Sequence, residues 1–213
     1  MLAVVAQAVL GGITVLFYLP VAVSVAHATL GQVFFCLTVS IALFTCDDWH
    51  GKERSGDPPK MEDSGVPSLC HLTAATTVAI LLQLILGAAF RHSGSGVTPH
   101  LVGAAVVTLL VGWVVARVLV QYAHERRLRR PALVLLGLLT VQIFLGVGSL
   151  LMRLRAPTAP QPLPEVVAVT TTHVVVGALV LAASLVLTLE AFRALRVPGR
   201  AAEITRLPGR ATV

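Results

Sequence analysis

The sequence predicts an all-α, polytopic membrane protein with six transmembrane helices. Of its 213 residues, 56% are hydrophobic and only 12% are charged. A helix that spans a bilayer needs about 20 mostly apolar residues, and in lipid the backbone must satisfy its own hydrogen bonds, which favours helices over strands. Little of the chain lies outside the apolar segments, so we expect no soluble domain. The six predicted spans are residues 2–19, 22–45, 69–90, 98–122, 131–152 and 165–192.

The first span, 2–19, differs from a cleaved signal peptide. Such a peptide begins with basic residues and ends at a cleavage site of small residues. This segment has no basic residue and ends in the bulky side chains of Phe17, Tyr18 and Leu19. We therefore interpret it as a retained helix. Because the chain is apolar from its first residues, we expect that a segment upstream of Met1 is missing.

The basic residues are unequally distributed, and this predicts an orientation. Loops 46–68 and 123–130, the tail after residue 192 and Arg117 together hold 13 of the 16 Lys and Arg residues. Because cytoplasmic loops of membrane proteins carry the excess of Lys and Arg, both loops and the C-terminus are expected to be cytoplasmic, with the chain in the inner (plasma) membrane. The net charge of +6 is thus a topology signal, and nucleic acid is not an expected partner. The three basic residues on the other side are Arg91, Arg153 and Arg155.

A helical hairpin recurs three times in the chain. Its first helix carries the motif Gln-x-x-Leu-Gly, and its second helix carries one early histidine with a small residue one turn later. The motif occupies Gln7–Gly11, Gln83–Gly87 and Gln142–Gly146, the histidines are His27, His100 and His173, and the small residues are Gly31, Ala104 and Gly177.

The three repeated histidines are candidate metal ligands. Positions i and i+4 share a helix face, so the small residue leaves a recess beside the imidazole. Polar side chains within a membrane usually face a bundle interior or a cavity, and histidine is a common axial ligand of haem iron. A single histidine near a helix end is more often interfacial. Recurrence at one phase of a repeat nevertheless favours ligation by His27, His100 and His173.

The glutamines and glycines of the motif have two interpretations. Small residues and amides hold helices together in lipid, and this packing role is the better interpretation for Gly11, Gly87 and Gly146. The glutamines, by contrast, are equally well interpreted as packing residues or as residues that line the cofactor cavity. They are Gln7, Gln83 and Gln142.

These elements resemble the haem A synthase family. The stretches "LLQLILGAAFRHSGSGVTPHLVGA", "VQIFLGVGSLLMRL" and "VAVTTTHVVVGA" are similar to its second half, and "AQAVLGGITVLFYLPVAVSVAHATLG" is similar to helices three and four of its first half. The Gln-x-x-Leu-Gly, Arg-His-Ser-Gly and Pro-His-Leu elements follow in the same order. The similarity covers nearly all of the chain except the linker and the basic tail.

The resemblance implies one complete four-helix bundle plus a helical hairpin from an incomplete second bundle. Residues 69–192 would form the complete bundle and residues 1–45 the hairpin. Residues 46–68 would then be a cytoplasmic linker, and residues 193–213 a basic cytoplasmic tail.

In the family, the complete bundle binds haem b between two histidines, which correspond to His100 and His173. The other half binds haem o and oxidises a ring methyl to the formyl group of haem A, the cofactor of cytochrome oxidase. His27 corresponds to a histidine of that half, so it is the candidate catalytic residue. Haem o, haem o synthase and membrane lipid are the implied partners, whereas the electron donor and a homo-oligomeric state are left open.

Further contacts of haem b are expected from Gln83, Gln142 and Arg91. The planar guanidinium of Arg91 suits a propionate carboxylate, although a solvated interfacial charge is an equal interpretation. The family's first two helices, with a paired histidine and a glutamate implicated in catalysis, have no counterpart before Met1. One hypothesis is therefore that the chain is an oxidoreductase, namely a haem A synthase that is either complete or shortened. The alternative is a six-helix membrane cytochrome b for haem binding or electron transfer, and a structural subunit without haem is a weaker third.

Overall fold

The structure, a computed structural model, describes residues 1–50, 60–63, 65–93, 96–155 and 163–197. Within these residues the predicted all-α architecture is confirmed, with six helices of 15 residues or more, one four-residue helix and one pair of two-residue strands. The helices are α1 (Leu2–Leu16), α2 (Val21–Thr45), α3 (Asp47–His50), α4 (Leu69–Ser93), α5 (Thr98–Gln121), α6 (Arg126–Arg155) and α7 (Pro164–Ala194), and the strands are β1 (Met61–Glu62) and β2 (Leu195–Arg196).

Five of these helices, α2 and α4 to α7, are long and apolar enough to cross a membrane, as in a multi-pass membrane protein. The first predicted span forms the shorter helix α1, whose 15 residues extend about 22 Å against a hydrocarbon core of roughly 30 Å. It ends at Leu16 because Tyr18 and Leu19 have left-handed backbone angles, φ 54° and 60°. The Leu19 N–H donates to the carbonyl of Thr14 at 2.8 Å, which closes the turn before Pro20.

Helices α4, α5, α6 and α7 pack as a ring. Helix α4 contacts α5 and α7, and α6 contacts the same two helices, so α5 and α7 stand diagonally across the ring. Helix α2 packs on the outside of the ring against α4 and α7, and α1 packs against α2. The α1–α2 hairpin therefore lies beside the four helices and is not inserted among them.

Two opposite ends of the ring have different residues. The basic end is where α4 and α6 begin, and the histidine end is where α5 and α7 begin. Prolines in the first turns of α5 and α7, Pro99 and Pro164, suit these positions because the N–H that proline lacks has no helical partner there. Glu165 adds a negative charge at the positive end of the α7 dipole.

The packed core occupies the half of the ring next to the basic end. Across the interface between α4 and α7, the Thr77 hydroxyl lies 2.7 Å from that of Ser184 and 2.9 Å from that of Thr188. Towards the histidine end, the buried apolar side chains stop near the level of Ile80 and Val107. The largest fully buried apolar side chains are Leu69, Val111, Val114, Val118, Leu128, Leu135, Leu181 and Leu187.

Helix α4 begins at Leu69 because two side chains satisfy its first N–H groups. The Ser68 hydroxyl accepts the N–H of His71 at 3.3 Å, which is an N-cap interaction. The Asp63 carboxylate accepts the N–H of Cys70 at 3.0 Å. A carboxylate is favourable at this position because the N-terminus of a helix carries partial positive charge.

Asp63 also connects the chain before α4 to the end of α5. It is only 1% exposed, and its carboxylate accepts a hydrogen bond of 3.5 Å from the Tyr122 hydroxyl and lies 3.9 Å from the Arg117 guanidinium. Burial, and then the nearby Asp63 charge, raise the pKa of the Tyr122 phenol, which therefore remains a hydrogen-bond donor. A buried carboxylate is tolerated only with such partners.

Strands β1 and β2 join the end of the predicted linker 46–68 to the start of the predicted tail 193–213. The strands are parallel, and the Asp63 N–H extends the pairing by donating to the carbonyl of Arg196 at 3.0 Å. Lys60 Nζ donates to the carbonyl of Phe192 at 3.2 Å. Residues 60–63 are thus held against the ring, whereas most of the linker and tail, 51–59 and 198–213, lies outside the described residues.

We expect Asp63→Ala to lower the free energy of unfolding by about 3 kcal/mol, because it removes the negative charge beside Arg117 and the acceptor at the N-terminus of α4. Unfolding of the purified protein in mixed detergent micelles measures this change. Asp47→Ala, which removes an exposed carboxylate, is the matched control and should change stability by less than about 0.5 kcal/mol. Equal losses in the two variants would contradict a special role for Asp63.

Candidate functional site

In each of the three hairpins, a histidine ring lies on the motif glycine of the preceding helix. A Cβ atom at Gly11 would be 3.1 Å from Cε1 of His27. The same distance of 3.1 Å separates Gly87 from His100 and Gly146 from His173. Any larger residue would push the ring away, so glycine is what permits the contact. This geometry agrees with the interpretation of these glycines as packing residues.

The motif glutamine contacts the same histidine as the motif glycine. Gln83 Nε2 donates to the carbonyl of His100 at 2.8 Å and lies 3.0 Å from its Nδ1. Gln7 Nε2 donates to the carbonyl of His27 at 3.1 Å. In the third hairpin, Nε2 of Gln142 lies 3.4 Å from the histidine Nε2. Glutamine, glycine and histidine therefore act together as one structural unit.

The small residues after the histidines lie near the motif glutamines. Gly31 and Gly177 face the glutamines of the opposite helices, and the recess predicted beside each imidazole stays a prediction. In the second hairpin Gly103 faces Gln83. The reason is the antiparallel packing, which places the residue one turn beyond the histidine opposite the residue one turn before the motif glycine.

His100 and His173 meet across the interior of the ring. Their ring centroids are 6.4 Å apart, and the ring planes are 79° apart. They come from α5 and α7, the two diagonal helices. His27 contacts α1 at Gly11. Of the three histidines, only His100 and His173 have rings in contact with each other among the described residues. The structure thus brings two of the three predicted ligands together.

The separation of these two rings fits a pair of axial ligands on one iron. Two metal–nitrogen bonds of about 2 Å each, plus about 1 Å from each nitrogen to its ring centre, amount to roughly 6 Å. Several polar atoms beside the pair are also buried without a hydrogen-bond partner, and such atoms require an explanation. They are Nδ1 of His173 and Oε1 of both Gln83 and Gln142.

A haem suits this pair better than a free metal ion does. Sites for free zinc, for example, generally use three or four protein ligands. The described part of the chain contains no group of three or more His, Cys, Asp or Glu side chains that could hold a metal ion. A haem needs only the two axial ligands, because its macrocycle supplies the other four. The residues present therefore fit a haem held by two histidines.

An aromatic and cationic stack borders His100. The ring of Phe90 lies 6.5 Å from the His100 ring at an angle of 10°, and the Arg153 guanidinium lies 5.1 Å from the centre of the Phe90 ring. Neither Phe90 nor Arg153 is a predicted site residue. Helical periodicity could have found both, because each follows a motif residue, Gln83 or Gly146, by seven positions and so lies on the same helix face.

Arg91 lies at the same end of the ring, in the last turn of α4. Its side chain is exposed, and among the described residues it forms no hydrogen bond or ring contact with His100 or His173. Its assignment to a haem propionate therefore stays a prediction. The Arg153 guanidinium lies against Phe90, whose ring is stacked beside His100.

Comparisons with protein-family models, with curated proteins and with solved structures find no match to this chain. The resemblance to haem A synthase accordingly depends on the sequence motifs and their order alone.

We expect Gly87→Val to displace the His100 ring and to lower the free energy of unfolding by about 2 kcal/mol, because the added side chain overlaps the imidazole. Gly137→Val is the matched control, since a Cβ at Gly137 would meet nothing within 4 Å. Unfolding in detergent micelles gives both values. A Gly87 variant as stable as the Gly137 variant would show that close contact with the ring is unnecessary.

Proposed function

We propose that the chain is a haem A synthase-like membrane protein that holds haem b between His100 and His173. The observation that supports this best is the 6.4 Å separation of the two imidazole rings across the ring of helices. Haem b, when bound, supplies an iron that accepts and releases single electrons. His100 and His173 would hold the iron, and the hairpins would orient both side chains.

Each axial ligand would be held by the same hairpin unit. The motif glycine lets the imidazole approach the neighbouring helix, and the motif glutamine fixes its position along that helix. Gln83 and Gln142 would therefore border the haem as well as orient its ligands. At the histidine end, the guanidinium groups of Arg91 and Arg153 would neutralise the propionates, since a planar fork of donors matches a carboxylate.

His27 would serve the second haem of the proposed enzyme, haem o, whose ring methyl is oxidised to the formyl group of haem A. The support for this role is the equivalence of the hairpins: His27, Gly11 and Gln7 repeat the arrangement of His100, Gly87 and Gln83. The α1–α2 hairpin would then be part of a second bundle, the one that holds haem o. A haem o synthase is the proposed source of its substrate.

The proposed orientation places the basic end in the cytoplasm and the histidine end at the outer face of the plasma membrane. The distribution of Lys and Arg supports it, because excess positive charge stays on the cytoplasmic side. Haem b and haem o would both lie near the outer face in this arrangement.

A six-helix membrane cytochrome b is the alternative function, and one observation favours it. Helices α1 and α2 contain no acidic residue, and His27 is their only histidine. Oxidation of a methyl group requires polar groups that manage protons, in addition to the iron. A haem b that only transfers electrons would need the two ligands His100 and His173 and no further polar group to oxidise a substrate.

We expect the purified chain to show the absorption spectrum of a low-spin, six-coordinate haem b. His100→Ala and His173→Ala should each abolish this spectrum or convert it to a high-spin form, because one axial ligand is lost. His124→Ala is the control, since His124 is exposed at the basic end and should leave the spectrum unchanged. A spectrum that survives both substitutions would refute the ligand assignment.

We also expect the 213-residue chain to convert little or no haem o to haem A, because α1 and α2 offer His27 but no carboxylate. The chain is expressed beside a haem o synthase in a host without its own haem A synthase, and extracted haems are separated by chromatography. A longer chain with two more N-terminal helices is the comparison and should form haem A. Haem A from the 213-residue chain would overturn this expectation, and its loss on His27→Ala would then locate the site.

A further inference from the structure

The side-chain amide of each motif glutamine forms hydrogen bonds through its nitrogen but not through its oxygen. The amide nitrogens of Gln7, Gln83 and Gln142 face their histidines at 2.8 to 3.4 Å. Their Oε1 atoms, in contrast, are all buried without a hydrogen-bond partner. A buried acceptor without a donor is costly, so its occurrence in three equivalent positions requires a reason.

The contacts of Gln83 determine where the proton of the His100 ring lies. The Gln83 nitrogen is 2.8 Å from the His100 carbonyl and 3.0 Å from Nδ1. An amide nitrogen can only donate hydrogen bonds, so Nδ1 must offer its lone pair. A neutral imidazole then carries its proton on Nε2. A ring in this form has no free lone pair on Nε2 to bind a metal.

A half-turn of the Gln83 amide reverses this situation. Oε1 then faces Nδ1 and can accept its proton, and the lone pair on Nε2 becomes available. The His100 carbonyl loses an additional donor, but it lies within α5 and also accepts the regular bond of the helix. The turned amide gives the buried Oε1 the donor that it lacks, but Nε2 of Gln83 loses both of its hydrogen bonds to His100. The turn is therefore favourable only when the freed lone pair on Nε2 of the ring binds iron.

We propose that Gln83 is a positioning residue for the haem iron, acting through His100. Its amide oxygen accepts the Nδ1 proton and so holds the ring in the form that ligates iron through Nε2. Metal-bound histidines generally donate their second ring N–H to such an acceptor, which fixes the ring and raises its basicity. The proposal rests on the proposed haem b site.

The inference concerns Gln83 and not the other motif glutamines. Gln142 faces Nε2 of His173, whose Nδ1 has no partner, so both the amide and the ring would have to turn there. Gln7 contacts only the carbonyl of His27. In the second hairpin, a turn of the amide alone is sufficient.

The first measurement uses the full chain without haem, in detergent micelles, with ¹⁵N-labelled histidine. The ring ¹⁵N shifts of His100 should show the proton on Nε2, and Gln83→Met should remove this preference because its side chain has a similar length but no amide. After haem loading and reduction to the diamagnetic low-spin form, the proton should lie on Nδ1. A haem-free ring whose protonation is the same in the wild type and in Gln83→Met, or a haem-loaded ring without a proton on Nδ1, would overturn the proposal.

The second measurement compares haem affinity and the reduction potential of the iron in two variants. Gln83→Met should weaken haem binding by about 10- to 100-fold, the range expected when a partner of a metal-bound histidine is removed. It should also raise the potential, because the ligand becomes less basic. Gln83→Glu keeps an acceptor oxygen, so it should restore most of the affinity and lower the potential below that of the wild type.

The reduction potential should rise in Gln83→Met and fall in Gln83→Glu. If Gln83 served only in helix packing, neither substitution would change the potential. Gln121→Met, at the exposed end of α5, is the control and should match the wild type. Wild-type affinity and potential in Gln83→Met would overturn the proposal. If the wild type binds no haem b, the proposed function fails, and so does the part of this proposal in which His100 binds iron. The haem-free ¹⁵N measurement still decides whether Gln83 orients His100.

Discussion

The contact between an imidazole and a glycine of the neighbouring helix is the constraint on which the structure depends. It occurs in all three hairpins at one distance, 3.1 Å, and it sets how closely the two helices approach and in which register. Helices in lipid gain little from apolar burial against one another, because the surrounding lipid is equally apolar. Close packing at glycine and amide contacts therefore has to specify which helices pack together and in which register. The same contacts orient His100 and His173 towards each other across the interior of the ring.

Much of this architecture follows from patterns in the sequence. Long uncharged segments predict the helices, since lipid permits few other structures, and five of them have the length to cross a membrane. The repeat identifies the hairpins because Gln-x-x-Leu-Gly and histidine recur in a fixed order. The partnership of His100 with His173 could be expected from their equal phase in two hairpins of one ring. The end of α1 depends instead on the backbone angles of Tyr18 and Leu19, for which the sequence carries no clear signal.

The remaining features depend on contacts between distant parts of the chain. Asp63 belongs to a polar stretch typical of a linker, and its burial arises only when Tyr122 and Arg117 converge on it. The stack of Arg153 on Phe90 joins α6 to α4, and only the helix faces are evident from spacing. The contacts of Gly31 and Gly177 with the motif glutamines were not predicted, because helix periodicity defines a face of one helix. It does not define the register of the helix opposite.

The uneven distribution of the core has a mechanical consequence. Local opening of a protein requires least free energy where buried apolar contacts are few. The ring has its dense packing, its hydroxyl contacts and the Asp63 cluster at the basic end, so that end is the stiff one. We therefore expect the first local opening of the ring at the histidine end, where buried apolar side chains are fewest, while the basic end keeps the four helices together.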